Sequence, residues 1–297
     1  MKGQERINSA KVMIIGVGAL GSVVAELLCR AGIRDITLCD YDIIEESNLQ
    51  RQGLYTTGDL SRLKVEAAKE HLIAIDPLCL VATIAEPFSS QTDMRGYDLI
   101  IDGTDSLDAR LLINDVARRS DIPLVIGTAS GTRGMVFAVT GSPCWQCVMR
   151  GKSATDDCDS GVLGSATHAI ASLQASVALR VLLGDAPKDL IEFDAWNMEL
   201  RSILVERNHS CEACRGLYQH LSPGLRFCAS ATRALARAPR VLHLDKIKEG
   251  LQVEKDYGTA ILIKLGEGTA LIHQHGTIEF SGVDGAEAKR FAEKMLK

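Results

Sequence analysis

An α/β fold built on a mainly parallel sheet with helices on both faces, followed by a small α+β unit, is what the pattern of this sequence predicts. Short apolar runs bounded by glycine or acidic residues alternate with stretches of helical period from Lys11 to Leu183, an order that implies right-handed crossovers between parallel strands. The first run leads straight into a glycine-rich turn, Gly16-Val-Gly-Ala-Leu-Gly21, the punctuation of a strand–turn–helix unit. The character changes near Ser222-Pro-Gly224, so residues 1–221 read as one domain and residues 222–297 as a small appendage.

Taken in order, Lys11 to Ile15 (KVMII) is a buried strand and Ser22 to Ala31 a helix. Asp35 to Asp40 is a second strand, Val65 to Ile75 a helix and Leu80 to Ile84 a third strand. Asp98 to Asp102 is a strand ending in an acidic cluster, with a helix over Arg110 to Arg119 and another buried strand over Pro123 to Ile126. Met135 to Val139 reads as an antiparallel addition, Ala166 to Leu183 as the longest helix and Arg201 to Val205 as a late strand. The polar residues Met1 to Ala10 run directly into the first strand, with no helix of their own expected. In the appendage an Ala/Arg-rich stretch, Ala229 to Arg240, precedes three short strands (Thr259 to Lys264, Thr269 to His273, Thr277 to Phe280) and a helical tail, Asp284 to Met295.

Composition removes several function classes. Aromatic residues make up 4% of the 297 residues and the net charge is -5, so there is neither a base-stacking platform nor a basic field, and no nucleic-acid partner is expected. No stretch of about 18 uncharged apolar residues occurs, so no membrane span is expected. The N-terminus lacks the apolar core of a secretory signal, and the chain reads as cytoplasmic. Nine cysteines in that compartment are expected to be buried or metal-bound.

Gly16, Gly18 and Gly21, between a strand and a helix, let backbone N–H groups face a phosphate, a Rossmann-like arrangement. Asp40, ending the next strand, is placed for ribose hydroxyls. The segment Asp40 to Gln52, DYDIIEESNLQRQ, adds Asp42 at the sheet edge and Asn48, Arg51 and Gln52 beyond it. Arg51 and Lys64 are cations suited to a triphosphate, for which a dinucleotide dehydrogenase has no use. Asp105, in Asp102-Gly-Thr-Asp-Ser106, opens toward the same crevice and suits Mg²⁺ held against phosphates.

GVGALG, the DYD pair, SNLQRQ, Lys64 and Thr104-Asp105 resemble the ThiF/MoeB/HesA family of ubiquitin-activating-enzyme-like adenylyltransferases, from about Gly3 to Cys214. The resemblance implies that Ala19, Asp40, Ser47, Asn48, Leu49, Gln50, Arg51, Lys64, Asp105 and Ser106 line an ATP site. Arg51 and Lys64 would hold phosphates, Asp105 the metal and Asp40 the ribose. It also implies a homodimer and, as partner, a small ubiquitin-fold carrier ending in Gly-Gly, whose C-terminal carboxylate is adenylated. That carboxylate has a pKa of about 3.5, so it is already an ionised nucleophile and no general base is needed. Relatives usually carry an N-terminal helix whose arginine reaches the partner subunit's site, and that element is expected to be missing here. Ser106 stands where relatives often have Asn. Adenylation of a small-molecule carboxylate, and a catalytically weak subunit that only docks a ubiquitin-fold partner, are the alternatives.

Cys144-x-x-Cys147 and Cys211-x-x-Cys214 are two paired knuckles able to present four thiolates to Zn²⁺ in a closed structural site, and the resemblance expects zinc at these four positions. Cys158, in DDCDSG, stands at the family's position for a reactive cysteine. It is either that thiol or a loop bystander, since neighbouring aspartates would raise its pKa. Cys29, Cys39 and Cys79 read as buried small hydrophobes, and His168 as structural. His273 and His275 form no convincing metal pair.

Overall fold

The computed structural model describes residues 2–150, 161–221, 226–229, 233–237, 242–257, 260–273 and 276–296. The chain divides into two compact units, Met1–Leu221 and Ser222–Lys297.

The first unit is built on β1 (Lys11–Ile15), β2 (Asp35–Cys39), β3 (Leu80–Ile84), β4 (Leu99–Asp102), β5 (Leu124–Ser130), β6 (Arg133–Val139), β7 (Leu190–Asp194) and β8 (Glu199–Ile203). They form one sheet in the order β3-β2-β1-β4-β5-β6-β7-β8. The first five strands in that order run parallel and the remaining pairings are antiparallel. Alternate residues of β1 leave by opposite faces, as the two-residue period of a strand requires. Val12 and Ile14 pack with Ile36, Leu38, Val24, Leu28, Leu72 and Ile170. Met13 and Ile15 pack with Ile100, Ile113, Val116, Phe137 and Trp145. Covering both faces is what lets Val12 to Ile15 be apolar without a break.

The helices are α1 (Lys2–Ser9), α2 (Gly21–Arg30), α3 (Lys64–Ile75), α4 (Leu107–Ser120), α5 (Trp145–Val148) and α6 (Gly164–Leu183). By length and composition α6 could cross a membrane. Here it lies on the sheet, with Ala166, Ile170, Ala171 and Ala178 buried and Gln174 donating to the carbonyls of Asp102 (2.8 Å) and Val125 (3.1 Å). It is a core helix of this unit.

Among the elements that differ from the expectation are α1 and β7. Residues 2–9 form α1, where none was expected. A single apolar anchor, Ile7, is buried, and the helix is fixed by long-range bonds from Gln4 to the Ala31 carbonyl and from Arg6 Nη1 to the Leu183 carbonyl (3.1 Å). Arg6 is therefore engaged within its own chain. β7 was also not anticipated, because its Leu-Ile-Glu-Phe-Asp alternation belongs to a half-covered antiparallel strand rather than to an apolar run.

In the second unit, β9 (Arg226–Ala229), β10 (Arg233–Arg237), β11 (Val253–Asp256), β12 (Ala260–Leu265), β13 (Gly268–His273) and β14 (Thr277–Ser281) form an antiparallel sheet in the order β11-β12-β13-β14-β10-β9. Two helices, α7 (Leu244–Lys248) and α8 (Gly285–Leu296), complete it. Ile261, Ile263, Ile272, Ile278 and Phe280 pack with Ala288 and Ala292 of α8, and Phe280 meets Phe291 edge to face at 6.1 Å. The Ala/Arg-rich stretch thus contains a strand, β10, whose register against β14 (Ala236 opposite Ile278) overrides weak intrinsic strand propensity. His273 Nε2 bonds Glu279 Oε1 at 2.9 Å. Its suggested companion, His275, lies outside the described residues.

Candidate nucleotide site and four-cysteine cluster

The chain leaves β1 toward β2 and β3 on one side, then returns to β4 and β5 on the other. The crevice at the carboxyl ends of β1 and β4 is therefore a topological switch point, where parallel sheets receive ligands. Three loops meet there: residues 16–20 after β1, 40–63 after β2 and 103–106 after β4.

Close backbone approach fixes the first loop. A Cβ on Gly21 would lie 1.8 Å from the Gly16 carbonyl oxygen, and one on Gly103 would lie 2.8 Å from that same oxygen. Gly16 itself has φ +81°, a conformation suited to glycine. A Cβ on Gly18 would meet only Gln52 Nε2, at 3.8 Å, so packing does not require glycine there. Ala19 is partly exposed in the turn that opens α2. The Tyr55 hydroxyl donates to the Val17 carbonyl at 2.7 Å. Burial, reinforced by Asp40, holds that phenol well above its ordinary pKa, so it remains a donor.

Asp40 accepts from the backbone N–H of Val17 (2.7 Å) and of Asp42 (2.9 Å), tying the first loop to the second. Lys64, the first residue of α3, is 6% exposed and its Nζ donates to Asp42 Oδ2 at 2.9 Å. Burial works against its charge, but Asp40, Asp42 and Asp105 outweigh it and raise the ammonium pKa. Burial likewise pushes the Asp40 carboxyl up, with Lys64 opposing. The result is a nearly buried ammonium bonded to Asp42, its charge favoured by Asp40, Asp42 and Asp105.

Residues 46–48 form a 3-10 turn in which Asn48 Oδ1 receives the Glu45 N–H at 3.4 Å. Asn48 and Gln52 are buried, whereas Ser47 and Gln50 are exposed and Leu49 is half-buried against the core. Arg51 Nη1 donates to the Ser47 carbonyl at 2.9 Å, so the guanidinium bonds its own segment. Gln52 Oε1 is buried without a protein partner. Asp105 is exposed and close enough to act on Lys64. Ser106 caps α4, its Oγ accepting from the Ala109 N–H at 3.4 Å, the ordinary use of serine at a helix start. The crevice thus gathers the three glycines, Asp40, Asp42, Lys64 and Asp105.

Sequence reasoning missed several supports of this site. Asp59, 4% exposed, accepts from Thr56 N–H and Thr56 Oγ1 (each 2.9 Å) and lies 2.9 Å from His71 Nε2, so it braces the loop that delivers Lys64. Burial would raise its carboxyl, yet the bonds from His71 and Thr56 bring it down to about 2. A depressed folded-state pKa contributes stability that is present above the unfolded value near 4 and lost as pH falls toward 2. Acid unfolding of the parent should accordingly show a drop in melting temperature over that window. In Asp59→Asn the drop should be smaller by about 2–4 °C, the equivalent of ~1 kcal/mol; parallel curves for the two proteins would refute the brace. Gln174, Asn114 and Asp115 were also overlooked; all three are buried, and only Gln174, a lone amide in the mostly apolar inward face of α6, leaves a signal in the sequence.

The sulfurs of Cys144, Cys147, Cys211 and Cys214 all lie within 4.8 Å of one another. The pairs Cys144–Cys211 and Cys147–Cys214 stand at 3.6 Å. Tetrahedral ligands about 2.3 Å from a zinc ion would be ~3.8 Å apart, so the donor set fits a metal. Burial pushes the Cys144 thiol far up and Cys211 up to about 11, whereas burial of Cys214 is outweighed by bonds from Ser142 and the neighbouring cysteines, which bring it down to about 7. Their support comes from α4: Asn114 Oδ1 accepts the Trp145 N–H (2.9 Å), and Asp115 accepts from Gln146 Nε2 (3.0 Å) and the His220 N–H (2.9 Å). Cys29, Cys39 and Cys79 are buried as expected. Cys158 lies outside the described residues.

Residues 1–213 match the model of the ThiF family. The molybdopterin-synthase adenylyltransferase of Escherichia coli strain K12 is 32% identical over 223 residues, which covers 71% of this chain and 90% of that protein. The sulfur carrier protein adenylyltransferase of Thermus thermophilus is 34% identical over 230 residues, covering 72% of this chain and 85% of that one. Among solved structures, E. coli MccB with ATP superposes with a TM-score of 0.64 at 21% identity, covering 72% of this chain and 69% of that chain; at that identity the likeness is one of fold. The glycine loop, the switch-point crevice and these matches agree, and the chain belongs to the ThiF family, as a protein of the adenylyltransferase class.

Proposed function

We propose that this protein uses ATP to adenylate the C-terminal glycine carboxylate of a small ubiquitin-fold carrier protein, releasing pyrophosphate. The observation that carries the reading is Lys64, a nearly buried ammonium kept charged by Asp40, Asp42 and Asp105 beside a glycine loop at the sheet's switch point. A nucleotide's phosphates are the ligand that calls for such a cation next to free backbone N–H groups. Relatives named for their action on a sulfur carrier protein favour a protein substrate over a small acid.

In this reading the carrier's carboxylate, ionised at neutral pH, attacks the α-phosphate, and pyrophosphate leaves. Catalysis consists of positioning and charge stabilisation. Gly18, Ala19 and Gly21 present N–H groups to phosphate in the turn that Gly16 opens, Lys64 and Arg51 neutralise it, Asp40 takes the ribose, and Ser47–Gln52 with Ser106 line the pocket. Asp105 would hold Mg²⁺, whose contribution is further neutralisation of the phosphates. The four cysteines would hold Zn²⁺ as a structural staple, and the working assembly is a homodimer.

ATP–pyrophosphate exchange tests the central claim. Exchange should require Mg²⁺ and a carrier with its terminal Gly-Gly, and should vanish when those glycines are removed; exchange driven by a small carboxylic acid alone would overturn the choice of substrate. For the staple, metal analysis should find one zinc per chain. Cys147→Ser should lose that zinc and melt well below the parent, and a fully stable, metal-free parent would refute the staple.

A further inference from the structure

The four-cysteine cluster and the Asp105 loop are joined by one side chain that neither assignment uses. Arg110 lies on α4, a little over one turn after Asp105, and is 8% exposed. Its Nη2 donates to the Thr104 carbonyl at 2.6 Å and its Nε stands 3.4 Å from Asp102 Oδ2. The guanidinium carbon lies 5.8 Å from the ring centre of Trp145, within the range of a cation–π contact. Trp145 is the residue after Cys144 in the first knuckle and is 1% exposed. Asp102 is itself fully buried, and its Oδ1 accepts from both the N–H (2.9 Å) and the Oγ1 (2.7 Å) of Thr104. Thr104 is thereby held at its N–H, its hydroxyl and its carbonyl, and the next residue is Asp105.

We propose that Arg110 is a positioning residue that couples the four-cysteine knuckle to the loop presenting Asp105. The inference rests on the reading of Asp105 as the carboxylate that holds Mg²⁺ beside the nucleotide. The extended planar guanidinium is essential to it: Nη2 bonds the Thr104 carbonyl while Nε stands in ion-pair range of Asp102 and the guanidinium carbon lies over the Trp145 ring, whereas a lysine ammonium supplies the charge without that reach. If Arg110 did no more than neutralise Asp102, lysine would restore everything.

The chain has two tryptophans, and the other, Trp196, is 75% exposed. In a Trp196→Phe background the emission of Trp145 therefore reports the contact directly. Adding Mg²⁺ and ATP, without carrier, should shift that emission, and the shift should be lost in the additional variant Arg110→Lys. In exchange assays Arg110→Lys should keep its cysteine-bound metal and its fold, yet need about 10- to 100-fold more Mg²⁺ for half-maximal rate, the scale on which small misplacements act. A wild-type Mg²⁺ requirement together with a wild-type emission response in Arg110→Lys would overturn the proposal. Should that variant fail to fold, the Trp196→Phe protein decides alone, since an emission indifferent to Mg²⁺ and ATP would overturn it. Absence of exchange in the parent with any carrier would count against adenylation, and the carrier-free emission arm would still judge the coupling.

Discussion

Lys64→Ala is expected to lower carrier-dependent pyrophosphate exchange by about 10²- to 10³-fold, the loss typical of removing one preorganised charge from a developing oxyanion. The size follows from where the ammonium sits. Its side chain is 8% exposed and paired with Asp42 at 2.9 Å, so water screens it little, and three carboxylates hold it charged. Removal also strands Asp40 and Asp42 beside the phosphates, turning an attractive pocket repulsive toward a triphosphate. ATP affinity should fall together with rate, and Lys64→Arg should rescue neither fully, because a fork does not fit a socket shaped for a point charge. Titration calorimetry with ATP and initial-rate exchange measure the two effects separately. An alanine variant that exchanges within tenfold of the parent would sink the assignment of Lys64 as the principal phosphate cation.

Gly21→Ala should be the most damaging substitution of the nucleotide loop. The added methyl would lie 1.8 Å from the Gly16 carbonyl oxygen and 2.9 Å from its carbon. Neither atom can retreat, because the Gly16 N–H is bonded to the Cys39 carbonyl at 2.8 Å and Gly103 closes in from β4. We expect a cost above about 4 kcal/mol, the range reserved for a clash with fixed backbone, and complete loss of nucleotide binding. Gly18→Ala provides the contrast. Its nearest neighbour would be a side-chain nitrogen at 3.8 Å, an ordinary contact, so unliganded stability should stay within about 0.5 kcal/mol of the parent. Urea unfolding of the two variants compares them directly, and equal midpoints would show that the loop opens more freely than its geometry implies.

The parts of the fold legible in the sequence are those in which one residue type answers one local demand. Val12 to Ile15 are apolar at every position because both faces of the strand are covered. GVGALG is glycine at Gly16 and Gly21, where backbones touch, and the cysteine spacing declares its knuckles. The charge pattern after the second and fourth strands singled out Lys64 and Asp105, and the structure brings both to the crevice. What stayed hidden depends on partners distant in sequence. Arg110 meets Trp145, and Asp59 meets His71, without any periodicity to announce it. The strand β10, Arg-Ala-Leu-Ala-Arg, has the composition of a helix and takes its conformation from β14. The helix α1 carries one apolar residue and is held by bonds to Ala31 and Leu183, so no window of its own sequence would reveal it.

The distance between the two knuckles has a consequence for the order of events during synthesis. Cys144 and Cys211 are 67 positions apart, and an ion bound by all four sulfurs has to wait until the second pair has left the ribosome. At about 5–20 residues per second, the first pair spends ~3–13 s as an open dithiol, with its eventual partners still unmade. Over that interval an oxidant meets two neighbouring thiols with no metal to protect them. With the cysteines closing on an ion as proposed, the yield of correctly closed protein should depend on the speed of translation and on the redox state of the host as well as on its metal supply.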